Sequence, residues 1–154
     1  MKDSSADPAT IRDWWRTWPD SNVGIQTGPE SGLLVIDLDE RGDVSGVESI
    51  RGVIDDHDWP PKTVTACTGG GGLHWLYAYP AGQEIRSGNG RLRGVDLKAV
   101  GGYIVAPPRV HATGRAYTWL TPPDETPLAT APAWLLDALA PGERPDCTKG
   151  QGLS

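Results

Sequence analysis

The apolar run Leu33-Leu34-Val35-Ile36, closed by Asp37-Leu38-Asp39, constrains this chain more than any other segment. A short, continuous apolar run of this kind reads as a buried strand. Side chains alternate between the faces of a strand, so Asp37 and Asp39 point the same way and Leu38 points back into the core. Two carboxylates less than about 7 Å apart at the end of a buried strand repel one another unless a cation stands between them. Oxygen-rich pairs suit Mg²⁺ or Mn²⁺, which hold phosphates through one or two carboxylates plus water. The same pair also fits a solvated strand end running into the polar stretch Glu40-Arg41-Gly42-Asp43, and spacing alone leaves both readings open.

The 154 residues make one domain of common size, long enough for a core. Hydrophobic content is 38%, and 20 Gly with 14 Pro is high for the length, which favours a loop-rich α/β or α+β domain over a helical bundle. Phe is absent and Trp numbers 7, so aromatic core volume has to come from Trp and Tyr. No apolar stretch approaches the roughly 20 residues that cross a bilayer, and Met1-Lys2-Asp3-Ser4-Ser5 does not open a signal peptide. Cys67 and Cys147 lack the paired spacing of a zinc site or a disulfide framework, so a reducing cytoplasm is the natural setting.

A net charge of −6 argues against a general polyanion binder. The distribution is uneven. Between residues 85 and 118 the basic side chains Arg86, Arg91, Arg93, Lys98, Arg109 and Arg115 face a single acid, Asp96. Such a segment marks either a phosphate-facing surface or an ordinary solvated face.

Asp7-Pro8 predicts a helix capped by Asp7 and running to Trp18 before Pro19. Its stripe of Ile11, Trp14, Trp15 and Trp18 is expected to pack into the core. A short strand is expected at residues 23–25, and the firmest one at 33–39. Ser45-Gly46-Val47-Glu48 fits a capping box, predicting a helix over 47–56. Strands follow at 64–68 and 73–79, joined by the turn Gly69-Gly70-Gly71-Gly72. Strands at 94–100 and 103–106 are expected to form a hairpin through Gly101-Gly102. An edge strand at 116–120, a Pro-rich loop over 121–130 and a helix over 132–140 complete the order, with a tail after Pro141.

His74 opens its strand directly after four glycines and shares a face with Leu76 and Ala78. A lone histidine there fits a structural role. Beside Gly-rich backbone amides it also suits the holding of a triphosphate. In Gly94-Val95-Asp96-Leu97-Lys98, Asp96 and Lys98 share a face. They form either a surface ion pair or a third carboxylate of a metal site with Lys98 towards the substrate phosphates.

The pieces occur in a telling order: Ile11-Arg12-Asp13-Trp14-Trp15 before Trp18-Pro19; Asn22-Val23-Gly24-Ile25 with Thr27-Gly28; Gly32 through Asp39; Thr68 through His74; Val95-Asp96-Leu97-Lys98; and Gly101-Gly102-Tyr103-Ile104-Val105-Ala106-Pro107-Pro108, with His111, Gly114 and Tyr117. In this order, over about residues 7–119, the chain resembles the bifunctional DNA primase/polymerase (prim-pol) domain of the archaeo-eukaryotic primase superfamily. No single piece is specific; their joint order is.

The resemblance implies an α+β fold, a primase-type catalytic core with a mixed β-sheet flanked by helices, occupying residues 1–140 with 141–154 as a tail or linker. It implies template-dependent nucleotidyl transfer by a two-metal mechanism, as a DNA primase and polymerase replicating a plasmid, phage or integrated element. Asp37, Asp39 and Asp96 match the acidic triad that holds two Mg²⁺ or Mn²⁺ ions, and His74 matches the histidine that contacts the phosphates of the incoming nucleotide. Lys98 and the turn glycines Gly71 and Gly72 are implied nucleotide contacts, while Arg86, Arg91, Arg93, Arg109 and Arg115 are candidates for template or triphosphate. Tyr103 either stacks on a base or sugar or is buried. Implied partners are a dNTP or NTP, a single-stranded DNA template with primer, and a helicase domain or protein; no membrane is involved.

The chain departs from the family pattern in two places. Members open with a further strand and a Gly-Lys-x-Pro-like segment, whereas this chain starts almost at the Asp7 helix, which implies either a trimmed sequence or a shortened protein lacking a sheet edge and a basic residue. Arg109 stands where the family has a small polar residue after Pro-Pro. Two further readings follow from the same residues: a catalytically impaired nucleotide- or nucleic-acid-binding module, and a metal-dependent phosphoesterase.

Overall fold

The computed structural model describes residues 3–140, and among them three helices and twelve short strands form an α+β fold. Helix α1 (Pro8–Thr17) starts as expected, with Pro8 in its first turn and the Asp7 carboxylate accepting from the Thr10 amide at 2.8 Å. Strands β1 (Gly24–Gln26) and β2 (Leu33–Leu38) follow, then the small pair β3 (Glu40–Arg41) and β4 (Val44–Ser45), and helix α2 (Gly46–Ile54). After them come β5 (Val64–Cys67), β6 (Leu73–Ala78), β7 (Gly88–Asn89), β8 (Val95–Lys98), β9 (Tyr103–Val105), β10 (Arg109–Val110), β11 (Ala116–Thr121), β12 (Ala129–Thr130) and helix α3 (Ala133–Leu139).

The main sheet runs β10-β11-β5-β6-β2-β8-β7, antiparallel throughout, with β12 added parallel to β6, so the sheet is mixed. Strand β2 sits near its middle. On one face Leu34, Ile36 and Leu38 join Tyr77, Val95 and Leu97 against Ile50 and Ile54 of α2 and Leu135 and Leu139 of α3. On the other, Leu33 and Val35 join Val64, Leu76 and Ile104, with Ile25 against them. The second face is thus covered by a separate two-stranded sheet, β1 with β9. Cover on both sides is why the run at 33–36 is continuous rather than alternating. Each fully buried Leu, Ile or Val contributes roughly 1.5–3 kcal/mol relative to exposure.

Helix α2 begins at Gly46 because two side chains satisfy its first amides. The Ser45 hydroxyl accepts from the Glu48 amide at 3.1 Å, and the Glu40 carboxylate accepts from the Val47 amide at 3.1 Å and from the Ser45 hydroxyl at 2.9 Å. Residues 40–43, read from sequence as a plain polar loop, are therefore half of a β3–β4 hairpin that anchors the helix.

Three further expectations are corrected. Strands β8 and β9 do not form a hairpin: β8 pairs with β2 and β7, while β9 pairs with β1. Gly101, at φ +80°, does turn the chain, and the Gly102 amide donates to the Ala99 carbonyl at 3.0 Å, but the turn carries the backbone from the main sheet to the covering layer. The tryptophan stripe of α1 is not core: no residue of the helix is buried, and Trp15 and Trp18 are exposed. Of the stripe, only Ile11 and Trp14 are half-covered. The Pro-rich loop contains β12, which closes the sheet beside Tyr77. No helix among the described residues is long and apolar enough to cross a membrane. The tail expected at 141–154 lies outside the described residues.

Candidate active site

Sheet register assembles the site. Asp37 on β2 is the direct partner of His74 on β6 and of Asp96 on β8, so three chain-distant residues meet at one level of the sheet. All three alternate away from the helix-packed core, on the side of Val35 and Leu76. His74 Nε2 lies 3.3 Å from Asp37 Oδ1, and Lys98 Nζ lies 3.0 Å from Asp96 Oδ2 and 3.6 Å from Asp37 Oδ2. Between this face and the covering strand β9 lies a cavity of about 450 Å³ whose lining includes Asp37, His74, Lys98, Asn89, Tyr103 and Tyr117.

The electrostatics are those of a charged, half-buried cluster. Burial pushes the Asp37 carboxyl up, but hydrogen bonding and charge from His74, then Lys98, outweigh it and hold the group below the usual carboxylate value. Burial likewise pulls the Lys98 ammonium down, and Asp96 with the more distant Asp37 and Asp39 more than reverses this. Tyr117, whose ring centroid is 6.1 Å from those of both His74 and His111, is pushed up by burial and by Asp37, with its cross-strand partner Arg109 opposing. His74 Nδ1 and Arg109 Nε are buried without a hydrogen-bond partner among the described residues.

Asp39 lies at the same end of the strand but engages elsewhere: Arg41 Nη2 is 3.0 Å from each of its carboxylate oxygens. Among the described residues, no three Asp, Glu, His or Cys side chains converge as they stand to enclose a metal ion. The donor set nonetheless suits a hard divalent cation. It offers carboxylate oxygens on one face, and a positive charge, the Lys98 ammonium, already bridges two of them.

The remaining sequence candidates scatter. Tyr103 is 56% exposed at the cavity rim, which settles against burial. Gly72 packs against strand backbone, since a Cβ there would sit 2.1 Å from the Leu38 carbonyl oxygen; Gly71, at φ +97°, stands in open space. Neither lines the cavity. Arg93 pairs with Asp43 at 3.0 Å and Arg86 with Glu84 at 2.7 Å, both at the surface. Arg91 and Arg115 are exposed, and Arg109 is half-buried beside Tyr117.

Sequence reasoning assigned no role to Ser87, Asn89 or Tyr117. Ser87 and Asn89 lie on or beside a two-residue strand, too short to show periodicity. Tyr117 alternates with Trp119 on β11, a pattern that signals a shared face but not which cavity it borders.

An α+β domain that gathers carboxylates, a histidine and a lysine beside an open cavity is of the kind that handles phosphoryl groups, with cationic groups and donors next to acidic ones. Residues 1–134 match the family model described as the N-terminal domain of bifunctional DNA primase/polymerase, and the chain belongs to that family. Membership implies nucleotidyltransferase-type activity, with nucleotides and DNA as ligands. No curated protein matches the sequence significantly.

Proposed function

We propose that residues 1–140 form the catalytic domain of a DNA primase/polymerase that joins nucleotides under template direction. The observation that supports this is the register setting Asp37, which lines the cavity with His74, opposite both His74 and Asp96. In this reading Asp37, Asp39 and Asp96 hold Mg²⁺ or Mn²⁺. When bound, two such ions would activate a primer 3′-hydroxyl and neutralise the triphosphate and leaving pyrophosphate.

The chain's own groups bind and orient. Asp37 holds the His74 ring through Nε2 while Nδ1 is buried, so contact of His74 with the phosphates requires the Asp37 bond to be exchanged for them, and the Lys98 ammonium presents positive charge to the same phosphates. Tyr103, exposed at the rim, offers a ring face to base or sugar. Arg91, Arg93, Arg109 and Arg115 contribute to template or triphosphate contact, with Gly71 and Gly72 shaping the turn before His74. A helicase, in the same chain or separate, and a plasmid, phage or integrated element supply the context that the resemblance implies.

The test is incorporation of labelled dNTPs and NTPs on primed and unprimed single-stranded templates with Mg²⁺ or Mn²⁺. Template-dependent incorporation is expected. DNA binding with no incorporation would reassign the chain as an impaired binding module, and release of nucleotides from DNA without incorporation as a phosphoesterase.

A further inference from the structure

We propose that Lys98 is a displaceable counter-ion: its ammonium holds Asp37 and Asp96 together until a divalent cation enters, and then moves onto the phosphates of a nucleoside triphosphate. The inference rests on the metal assignment made above.

The oxygens decide it. Lys98 Nζ engages Oδ2 of Asp96 at 3.0 Å and Oδ2 of Asp37 at 3.6 Å, while Oδ1 of Asp37 is committed to His74 at 3.3 Å. A divalent cation held by Asp37 and Asp96 would compete with the ammonium for the same two carboxylates. The two cations exclude one another, since like charges at such range disfavour coexistence. The ammonium cannot simply be left behind, because an unpaired charge in a half-buried site is costly.

Lys98 is placed to move. It lies one step back along the ladder, opposite Val35, and reaches forward to the Asp37–Asp96 pair along a flexible four-carbon stem. Its side chain is 27% exposed and borders the same cavity as Tyr103, Gly101 and Gly102. Swinging into that cavity takes the ammonium to the space where a triphosphate beside His74 would lie. The Arg41–Asp39 pair differs, since Arg41 is largely exposed and leaves its partner at little cost.

The experiment is lysine footprinting of the whole protein with limiting acetic anhydride, read by mass spectrometry against exposed Lys62 as internal reference. Lys98 is expected to react slowly in chelator, several-fold faster at saturating Mn²⁺, and slowly again once a non-hydrolysable nucleoside triphosphate is added. Unchanged Lys98 reactivity at saturating Mn²⁺, or no renewed protection by the triphosphate, overturns the proposal. In parallel, Mn²⁺ titration of Lys98→Met is expected to give about tenfold tighter binding than wild type; equal or weaker binding in a folded variant also overturns it. Asp37→Asn separates the two levels of inference. If Mn²⁺ binds wild type and not this variant, the metal assignment stands and the footprint judges Lys98 alone. If Mn²⁺ binds both equally, or neither, the metal assignment falls and the role of Lys98 with it.

Discussion

Asp37 stands directly opposite Asp96 across the β2–β8 ladder, on the same face of the sheet, and of the two it is Asp37 that lines the cavity. Like charges directly opposite one another weaken a sheet, so the pair is retained at a stability cost that Lys98 offsets. We expect Asp37→Asn and Asp96→Asn each to lower nucleotide incorporation on the order of 10²-fold or more, while changing folding stability by less than about 1 kcal/mol. Primer-extension rates alongside urea unfolding check both halves. Near-native incorporation by either variant would remove the pair from the chemistry.

Stability should depend on pH in a way that tracks the same cluster. The native Asp37 carboxyl titrates below its unfolded value, despite opposing burial, because of His74 and then Lys98. Its contribution is therefore present above roughly pH 4 and is lost as pH falls through the native value. Lys98 is raised, so its contribution is complete below roughly pH 10 and is lost as pH rises through its own native value. In chelator, wild type should lose stability at both extremes, and Asp37→Asn should show a shallower acid limb. Superimposable acid limbs would mean that Asp37 ionisation is not what acid removes.

How much of this was legible in the sequence depends on whether the signal was local. The run at 33–39 announced a buried strand with carboxylates on one face, and strict alternation put His74 with Leu76 and Asp96 with Lys98, as found. Alternation assigns faces but not neighbours. That β2 lies between β6 and β8, with Asp37 level with both His74 and Asp96, is a long-range pairing with no spacing signature. The Gly101-Gly102 pair marked a turn correctly but could not reveal that β9 leaves the sheet for β1. The stripe on α1 identified residues sharing a face, yet whether another layer covers that face is decided elsewhere in the chain.

Gly72 was expected to serve the nucleotide, and its surroundings assign it to packing. An added Cβ would lie 2.1 Å from the Leu38 carbonyl oxygen and 3.3 Å from the Asp39 Cα, backbone atoms that cannot swing aside. We expect Gly72→Ala to cost about 1–3 kcal/mol, as overpacking does. It should also disturb incorporation by shifting the strand end that carries Asp39. Thermal unfolding of the variant tests this; wild-type stability would show that β2 and β6 can part without penalty.

Ala99 sits between two hydroxyls, that of Thr27 from the covering layer and that of Ser87 beside β7 of the main sheet. Its amide donates to the Ser87 hydroxyl at 2.7 Å, and its carbonyl accepts from the buried Thr27 hydroxyl at 2.7 Å. Gly102, on the cavity wall, fits against both: a Cβ there would be 2.4 Å from Ser87 Oγ and 2.8 Å from Thr27 Oγ1. Thr27→Val keeps the shape but strips one of the two donors to the Ala99 carbonyl, leaving it the Gly102 amide, whereas Ser87→Ala leaves the Ala99 amide without its partner. The first is expected to cost about 0.5–1.5 kcal/mol and the second about 1–3 kcal/mol. Because both bonds end on one residue, the double variant should cost measurably less or more than the sum, by at least about 0.5 kcal/mol. Urea unfolding of the four proteins of the cycle measures this. Strict additivity would mean that the two hydroxyls hold Ala99 independently, and that the cavity wall is not a coupled clasp.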